Sequence, residues 1–241
     1  MAGFEVEVVC KRMKYLRLHV KGPEGRVVVS APYGVGLGDV ERFVLGNAGW
    51  IRKRKLLASL APKGPVAAER QWADGEPLYV WGKKYALRLE EAGEYALRLE
   101  EGSGTAVLAC PKASTPAYRK AWLDAWYRAA LEQAVRRLLP EVEALTGQAC
   151  RSWRIREMKT RWGTCAIRKR KLWLNLHLAK KPPECLRFIL VHELGHFVSR
   201  FHDEAFYGFM DRFMPEWRRV RSVLDAGPVD AFEPGSKLGR K

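Results

Sequence analysis

Cysteine is sparse in this 241-residue sequence, and none of it is paired by spacing: Cys10, Cys110, Cys150, Cys165 and Cys185 lie far apart, with no C-x-x-C. An odd, scattered set excludes a disulfide framework and a cysteine metal knuckle, leaving reduced thiols that are mostly buried. Side-chain amides are also few (Asn47, Asn175, Gln71, Gln133 and Gln148), as in heat-adapted proteins or under plain genomic bias. No apolar run approaches the roughly 20 residues a bilayer span needs; Phe188 to Val191 is cut short by His192. The opening MAGFEVEVVC holds two acids and no basic stretch before an apolar core, so it does not read as a secretion signal. The expected location is therefore cytoplasmic, with no membrane partner.

Acid is the charge in deficit. Lys and Arg number 43 against 27 Asp and Glu, a formal charge of +16. Residues 1–110 carry +4 and residues 111–241 carry +12, and within 151–181 eleven basic residues face one acid, Glu157. Such a segment attracts anionic substrates or a polyanion, so nucleic acid is a candidate partner through 151–181.

With 47% hydrophobic residues the chain can bury a substantial core. FEVEVV and RVVVSAP, separated by Gly22-Pro23-Glu24-Gly25, predict a hairpin or meander. A helical stretch opens at Asp39, burying Val40, Phe43, Val44, Trp50 and Ile51, with a break near Gly46 and Gly49. Residues 61–70 read as a linker. The duplicated YALRLEE at 85–91 and 95–101 predicts a hairpin folded about Gly93.

From Ser114 or Thr115, with Pro116 in the first turn, a long helix is expected up to Gly147. Its predicted core face comprises Trp122, Trp126, Ala129, Leu138, Val142 and Leu145, with a kink at Pro140. Residues 151–178 return to strand character as an antiparallel pair joined by the basic turn 168–171. Helices follow from Glu184 to Arg200, from about Asp203 to Met214, and on to about Asp225; the tail 227–241 is expected to be disordered.

The chemistry concentrates in V-H-E-L-G-H-F-V-S-R-F-H. His192 and His196, four apart, share one helical face and can reach one ion at about 2.0–2.1 Å. Glu193 stands where a carboxylate can take a proton from an attacking water. His202, six residues on, becomes a third ligand if the chain turns back near Ser199 to Phe201, leaving one position open. A helix whose histidines only make local hydrogen bonds would have little reason to aim two His and one Glu at one side. Glu204, Asp211 and Glu216 are rival third ligands, and Asp203, Glu204 or Asp211 could orient an imidazole. Arg161 and Trp162 are candidate substrate contacts, although Trp162 serves equally well as core and Arg161 as a solvated neighbour. His177 and Asn175 fit an exposed strand face, and Met210 and Met214 fit the core.

MKTRWGTC at 158–165, then LWLNLHL, PPECLRFILVHELGHF, H-D-E-A-F-Y and F-M-P-E-W, resemble the YgjP-like metallopeptidase-domain family, soluble zincins similar to SprT-type proteases. The likeness covers most of 150–222, and KRMKYLRLHV and NAGWIRKRK resemble that family's β-rich N-terminal part. Thr164 and Ala166 stand where serines are usual, and Tyr207 where tryptophan is common, which affects substrate contacts alone.

The strand and helix patterns, with a change of composition near Pro111, predict an α+β chain: a β-rich N-terminal domain over 1–110, then a helical metallohydrolase domain with a small antiparallel sheet over 111–226, which the resemblance identifies as zincin-like. The resemblance also implies one zinc ion on His192, His196 and His202, with Glu193 as base. A metallopeptidase acting on peptides is the leading expectation. The alternatives are a nucleotide (phosphoanhydride) hydrolase taking an anionic small molecule, a DNA-associated SprT-like protease, and a nucleic-acid binding module with a structural metal.

Overall fold

A computed structural model describes residues 3–21, 25–60 and 70–226, and the chain divides into two compact units, Met1–Ala68 and Glu69–Lys241. The Gly22–Glu24 turn, nearly all of the 61–70 linker and the 227–241 tail lie outside the described residues.

In the first unit, β1 (Val6–Lys11), β2 (Arg17–Lys21) and β3 (Arg26–Pro32) form a sheet of order β1-β3-β2. β2 and β3 pair antiparallel as expected, but β1 runs parallel to β3 on its other side, so the sheet is not a meander. The apolar pattern explains the order. β3 is a continuous buried run, Val27 to Ala31, suited to a central strand covered on both faces, whereas β1 has the alternation of an edge strand. α1 (Leu37–Gly46) and α2 (Ala48–Leu60) follow, broken at Asn47, whose amide donates back to the Phe43 carbonyl at 2.7 Å. Val27, Val29, Ala31, Val40, Val44 and Ile51 make this unit's own core. Trp50, expected inside, is 38% exposed and lies beneath the Arg54 guanidinium.

The second unit begins with β4 (Pro77–Val80), β5 (Lys83–Glu91), β6 (Ala96–Glu100) and β7 (Thr105–Cys110), in sheet order β4-β5-β7-β6. The two YALRLE copies therefore do not pair with each other. β7, with Ala106, Val107 and Leu108 all buried, takes the middle, parallel to β5 and antiparallel to β6, and the two amphipathic copies flank it.

Leu78, Leu87 and Leu108 of this sheet share one core with the helices that follow, so residues 70–110 belong with the site-bearing part. A domain boundary at 110 is thereby replaced by one at 68/69. Gly82, at φ +83°, permits the same packing: a Cβ there would stand 2.7 Å from the Pro182 ring.

α3 (Pro116–Thr146) starts at Thr115, whose side chain accepts from the Tyr118 amide, and ends at Gly147 in the left-handed conformation. It continues as helix through Pro140, which is exposed and leaves one rung of the hydrogen-bond ladder unmade for want of an N–H. Its buried stripe is Leu123, Tyr127, Leu131, Val135, Leu139 and Val142, one turn apart. Trp122 and Trp126 flank it half-buried, Leu145 is exposed, and Ala129 faces away.

β8 (Ser152–Arg156), β9 (Gly163–Ala166) and β10 (Lys171–Asn175) form the third sheet, ordered β8-β10-β9. β9 and β10 are the expected antiparallel pair, with β8 added in parallel. Beyond Asn175 the alternating leucines leave the strand for a 3-10 turn over Leu176–Lys180 that is buried all round. α4 (Pro183–Gly195), α5 (Glu204–Phe213) and α6 (Trp217–Asp225) complete the unit, α4 being buried on every side from Phe188 onward. No helix among the described residues is long and apolar enough to cross a membrane.

Candidate metal centre

α4 stops earlier than its periodicity predicts, at Gly195 rather than Arg200, and this early stop builds the site. A Cβ on Gly195 would lie 3.1 Å from both the Phe206 and the Phe209 ring. Its absence lets α5 cross close to the end of α4. Between the helices, Ser199 donates to Asp203 at 2.7 Å, and Asp203 caps α5 by accepting from the Phe206 amide at 3.0 Å. The tied loop carries His202 back to the helix.

His192, His196 and His202 meet there, with one ligand atom from each lying within 4.8 Å of the others. Phe206 is their common floor, its ring 5.0, 4.8 and 4.5 Å from the three imidazoles in that order. His196 Nδ1 stands 3.1 Å from the Ser199 carbonyl, which fixes Nδ1 as the protonated nitrogen and leaves Nε2 bare. His192 Nε2 and His202 Nε2 face each other at 3.3 Å, a distance at which two lone pairs need a proton or a cation between them. Burial lowers all three histidines below their ordinary value, His192 furthest, with the neighbouring imidazoles adding to the effect on His192 and His202. Neutral, converging imidazoles of this kind fit a divalent metal ion.

Glu193 turns to a different flank of α4, toward β9. It is 3% exposed, and a Cβ on Gly163 would stand 2.7 Å from its Oε1 and 2.8 Å from Ile189 Cγ2. Only glycine lets β9 lie so close. The Cys165 thiol, on the same face of β9, hydrogen-bonds the carboxylate. Burial pushes Glu193 up to about 8, with the Cys165 hydrogen bond and the Arg161 charge pulling the other way. The cysteines here are inert as nucleophiles: burial holds Cys165 far above the ordinary thiol range, Cys185 at about 12 and Cys150 at about 11.

The remaining sequence candidates fall into place around this centre. Trp162 is a core side chain, 2% exposed beneath the Lys181 ammonium, and presents no face to a substrate. Arg161 is exposed, and its charge reaches Glu193. Among the described residues neither Glu204, Asp211 nor Glu216 joins the histidine cluster, and Asp203 acts on His202 only through its charge. Asp203 caps α5, Asp211 receives Trp217 and Arg218, and Glu216 is exposed ahead of α6. The group that orients His196 is instead a backbone carbonyl, which sequence spacing cannot reveal. Met210 and Met214 are core.

Asn175 and His177 are buried rather than exposed. The Asn175 amide donates to the Met158 carbonyl at 2.9 Å and the Arg161 carbonyl at 2.7 Å, and its oxygen accepts from the His177 amide at 3.2 Å. It clips the segment leading into β9 against the end of β10. Sequence reasoning missed Gly163, Cys165, Asn175 and Phe206 as supports of the site. Only Gly163 carried a signal, as a lone glycine opening a strand.

A family model described as YgjP-like, metallopeptidase domain, matches residues 14–226. The chain belongs to the YgjP-like metallopeptidase-domain family. The histidine cluster and Glu193 both fall inside the matched region, as do Gly163 and Cys165. Among solved structures, the crystal structure of the metallopeptidase zymogen of Pyrococcus abyssi abylysin is similar at 22% identity, over 37% of this chain and 87% of that one, with a TM-score of 0.33. No curated protein shows a significant match to the chain.

Proposed function

We propose that this protein is a zinc-dependent metallopeptidase with one ion held by His192, His196 and His202 and with Glu193 as its general base. The observation that carries the reading is the convergence of three imidazole ligand atoms within 4.8 Å on a shared aromatic floor, on the helix that also bears a buried carboxylate. Zinc in such a site supplies Lewis acidity, bringing the pKa of water toward about 7 and polarising a carbonyl oxygen. In its ionised form, which burial disfavours below about pH 8 and a neighbouring dication would favour, Glu193 would receive a proton from the attacking water and deliver it to the departing amine. Gly163 and Cys165 keep that carboxylate in place from β9, and the Ser199 carbonyl keeps His196 in the tautomer that leaves Nε2 free.

Peptides are the first substrate class to test, on the strength of family membership. A second reading, hydrolysis of a phosphoanhydride such as a nucleoside triphosphate, is favoured by one observation: exposed Arg161 places a permanent positive charge where Glu193 feels it, and a phosphate would feel it too. A panel of casein, short peptides and nucleoside triphosphates, with and without a chelator, separates the two. Glu193→Gln is expected to lower turnover by about 10²–10⁴-fold while metal analysis still finds about one zinc per chain. Activity retained in that variant removes Glu193 from the mechanism, and zinc retained after His192→Ala with His202→Ala removes the three-histidine site.

A further inference from the structure

The third sheet has two faces of opposite character. Gly163 and Cys165 turn one face of β9 toward Glu193 of α4. Strand alternation therefore sends Thr164 to the other face, and the cross-strand register puts Trp173 and Arg154 beside it. Lys171 and Arg156 fall on that same outward face, two residues to either side of their neighbours, while Leu172, Leu174 and Ile155 point inward and are buried.

On the outward face Arg154 and Arg156 are exposed, and Trp173 is half-buried between strands. The Arg156 guanidinium and the Lys171 ammonium each lie 5.4 Å from the Trp173 ring. Exposed Arg168 and Lys169 extend the charge along the β9–β10 connection. The one acid between 151 and 181, Glu157, stands 3.7 Å from His177 at the edge of this arrangement. Like charges set on strands about 4.8 Å apart repel one another, and nothing in the 151–181 sequence offsets them.

We infer that this outward face of the β8-β10-β9 sheet binds single-stranded nucleic acid. Charge complementarity selects a polyanion, and the indole set among guanidinium and ammonium groups selects one with flat bases free to stack. A duplex is disfavoured because the outward face of a three-stranded sheet offers no protruding helix or two-stranded ribbon to enter a groove. The face lies on the far side of the sheet from Glu193, so a bound strand leaves the hydrolytic site open. The inference is independent of which bond that site cleaves.

The test is fluorescence anisotropy of the full zinc-loaded chain with a labelled single-stranded oligonucleotide, its duplex, and polyglutamate as competitor, across a salt series. Single-strand affinity should fall with salt, with a log–log slope of about −0.7 per phosphate contacted. Arg154→Glu with Arg156→Glu should weaken binding by about ten-fold or more and shrink the slope by about 1.4, whereas the equally charge-reversing Arg52→Glu with Lys53→Glu should leave both unchanged. Trp173→Leu should cost roughly ten-fold in affinity without changing the slope. Circular dichroism and zinc content establish that each variant is folded. Equal losses in the two double variants, tighter binding of duplex than of single strand, or displacement by polyglutamate as effective as by unlabelled oligonucleotide would each overturn the assignment.

Discussion

A single missing methyl group sets how close Glu193, the proposed general base, lies to its supporting strand. Gly163→Ala would drive a Cβ against Glu193 Oε1 and Ile189 Cγ2, both inside van der Waals contact and both on a buried helix that cannot recede. Overpacking of this sort costs about 1–3 kcal/mol. The expected outcome is a lower melting temperature together with a drop in turnover, read by thermal denaturation and by the substrate panel, with zinc content unchanged because the histidines lie on another flank. A variant with normal melting and normal turnover would show that β9 does not constrain the carboxylate. The histidines give a second prediction at this scale, for the metal-free protein. Their pKa values are lowered on folding, so below the ordinary value of 6.5 the unfolded chain binds protons that the folded one refuses. Stability is fully present above that pH and declines as the pH falls through it. Denaturant melts of chelator-treated Glu193→Gln protein between pH 7.5 and 5 should show that decline, the substitution removing a carboxyl whose raised pKa works in the opposite direction over this range, and zinc should move its onset to lower pH because bound imidazoles resist protonation.

Among the elements, those with a strong local signature were readable in the sequence. α3 was bounded correctly by Thr115, Pro116 and Gly147, and α5 and α6 by Asp203 and Pro215. The His192–His196 pair was legible because a four-residue spacing on a helix is a local fact, and the structure brings His202 beside it. What sequence did not disclose was decided by competition among distant segments. The two YALRLE copies look like partners, but the more apolar TAVLAC run outcompetes either for the central position. Asn175 looked like a surface residue by alternation, yet it is buried because the chain turns from strand to 3-10 helix just beyond it. Removing its amide should be costly. Asn175→Ala would orphan the buried His177 amide and release the part-buried Met158 and Arg161 carbonyls, so a loss of about 1–3 kcal/mol is expected in urea melts. Asn175→Asp should recover only part of this, because a carboxylate cannot donate to the Met158 and Arg161 carbonyls.

For the molecule as a whole, the division at 68/69 makes a direct prediction. Every residue assigned to the metal centre, together with its supports and the sheet that carries the basic face, belongs to the second unit, which has its own core. A chain starting at Glu69 should therefore melt cooperatively and bind one zinc, whereas a chain starting at Pro111 should not, because it lacks Leu78, Leu87 and Leu108 from that core. Equal behaviour of the two truncations would restore the boundary at 110.

All three sheets also share one arrangement, in which the last strand in the sequence enters between the two strands that precede it. During synthesis each sheet thus waits for its most apolar strand, while two earlier strands stand apart with unpaired edges. A nascent chain of this design is vulnerable three times over to sticking to its neighbours, and translation speed through residues 26–32, 105–110 and 171–175 becomes a determinant of yield.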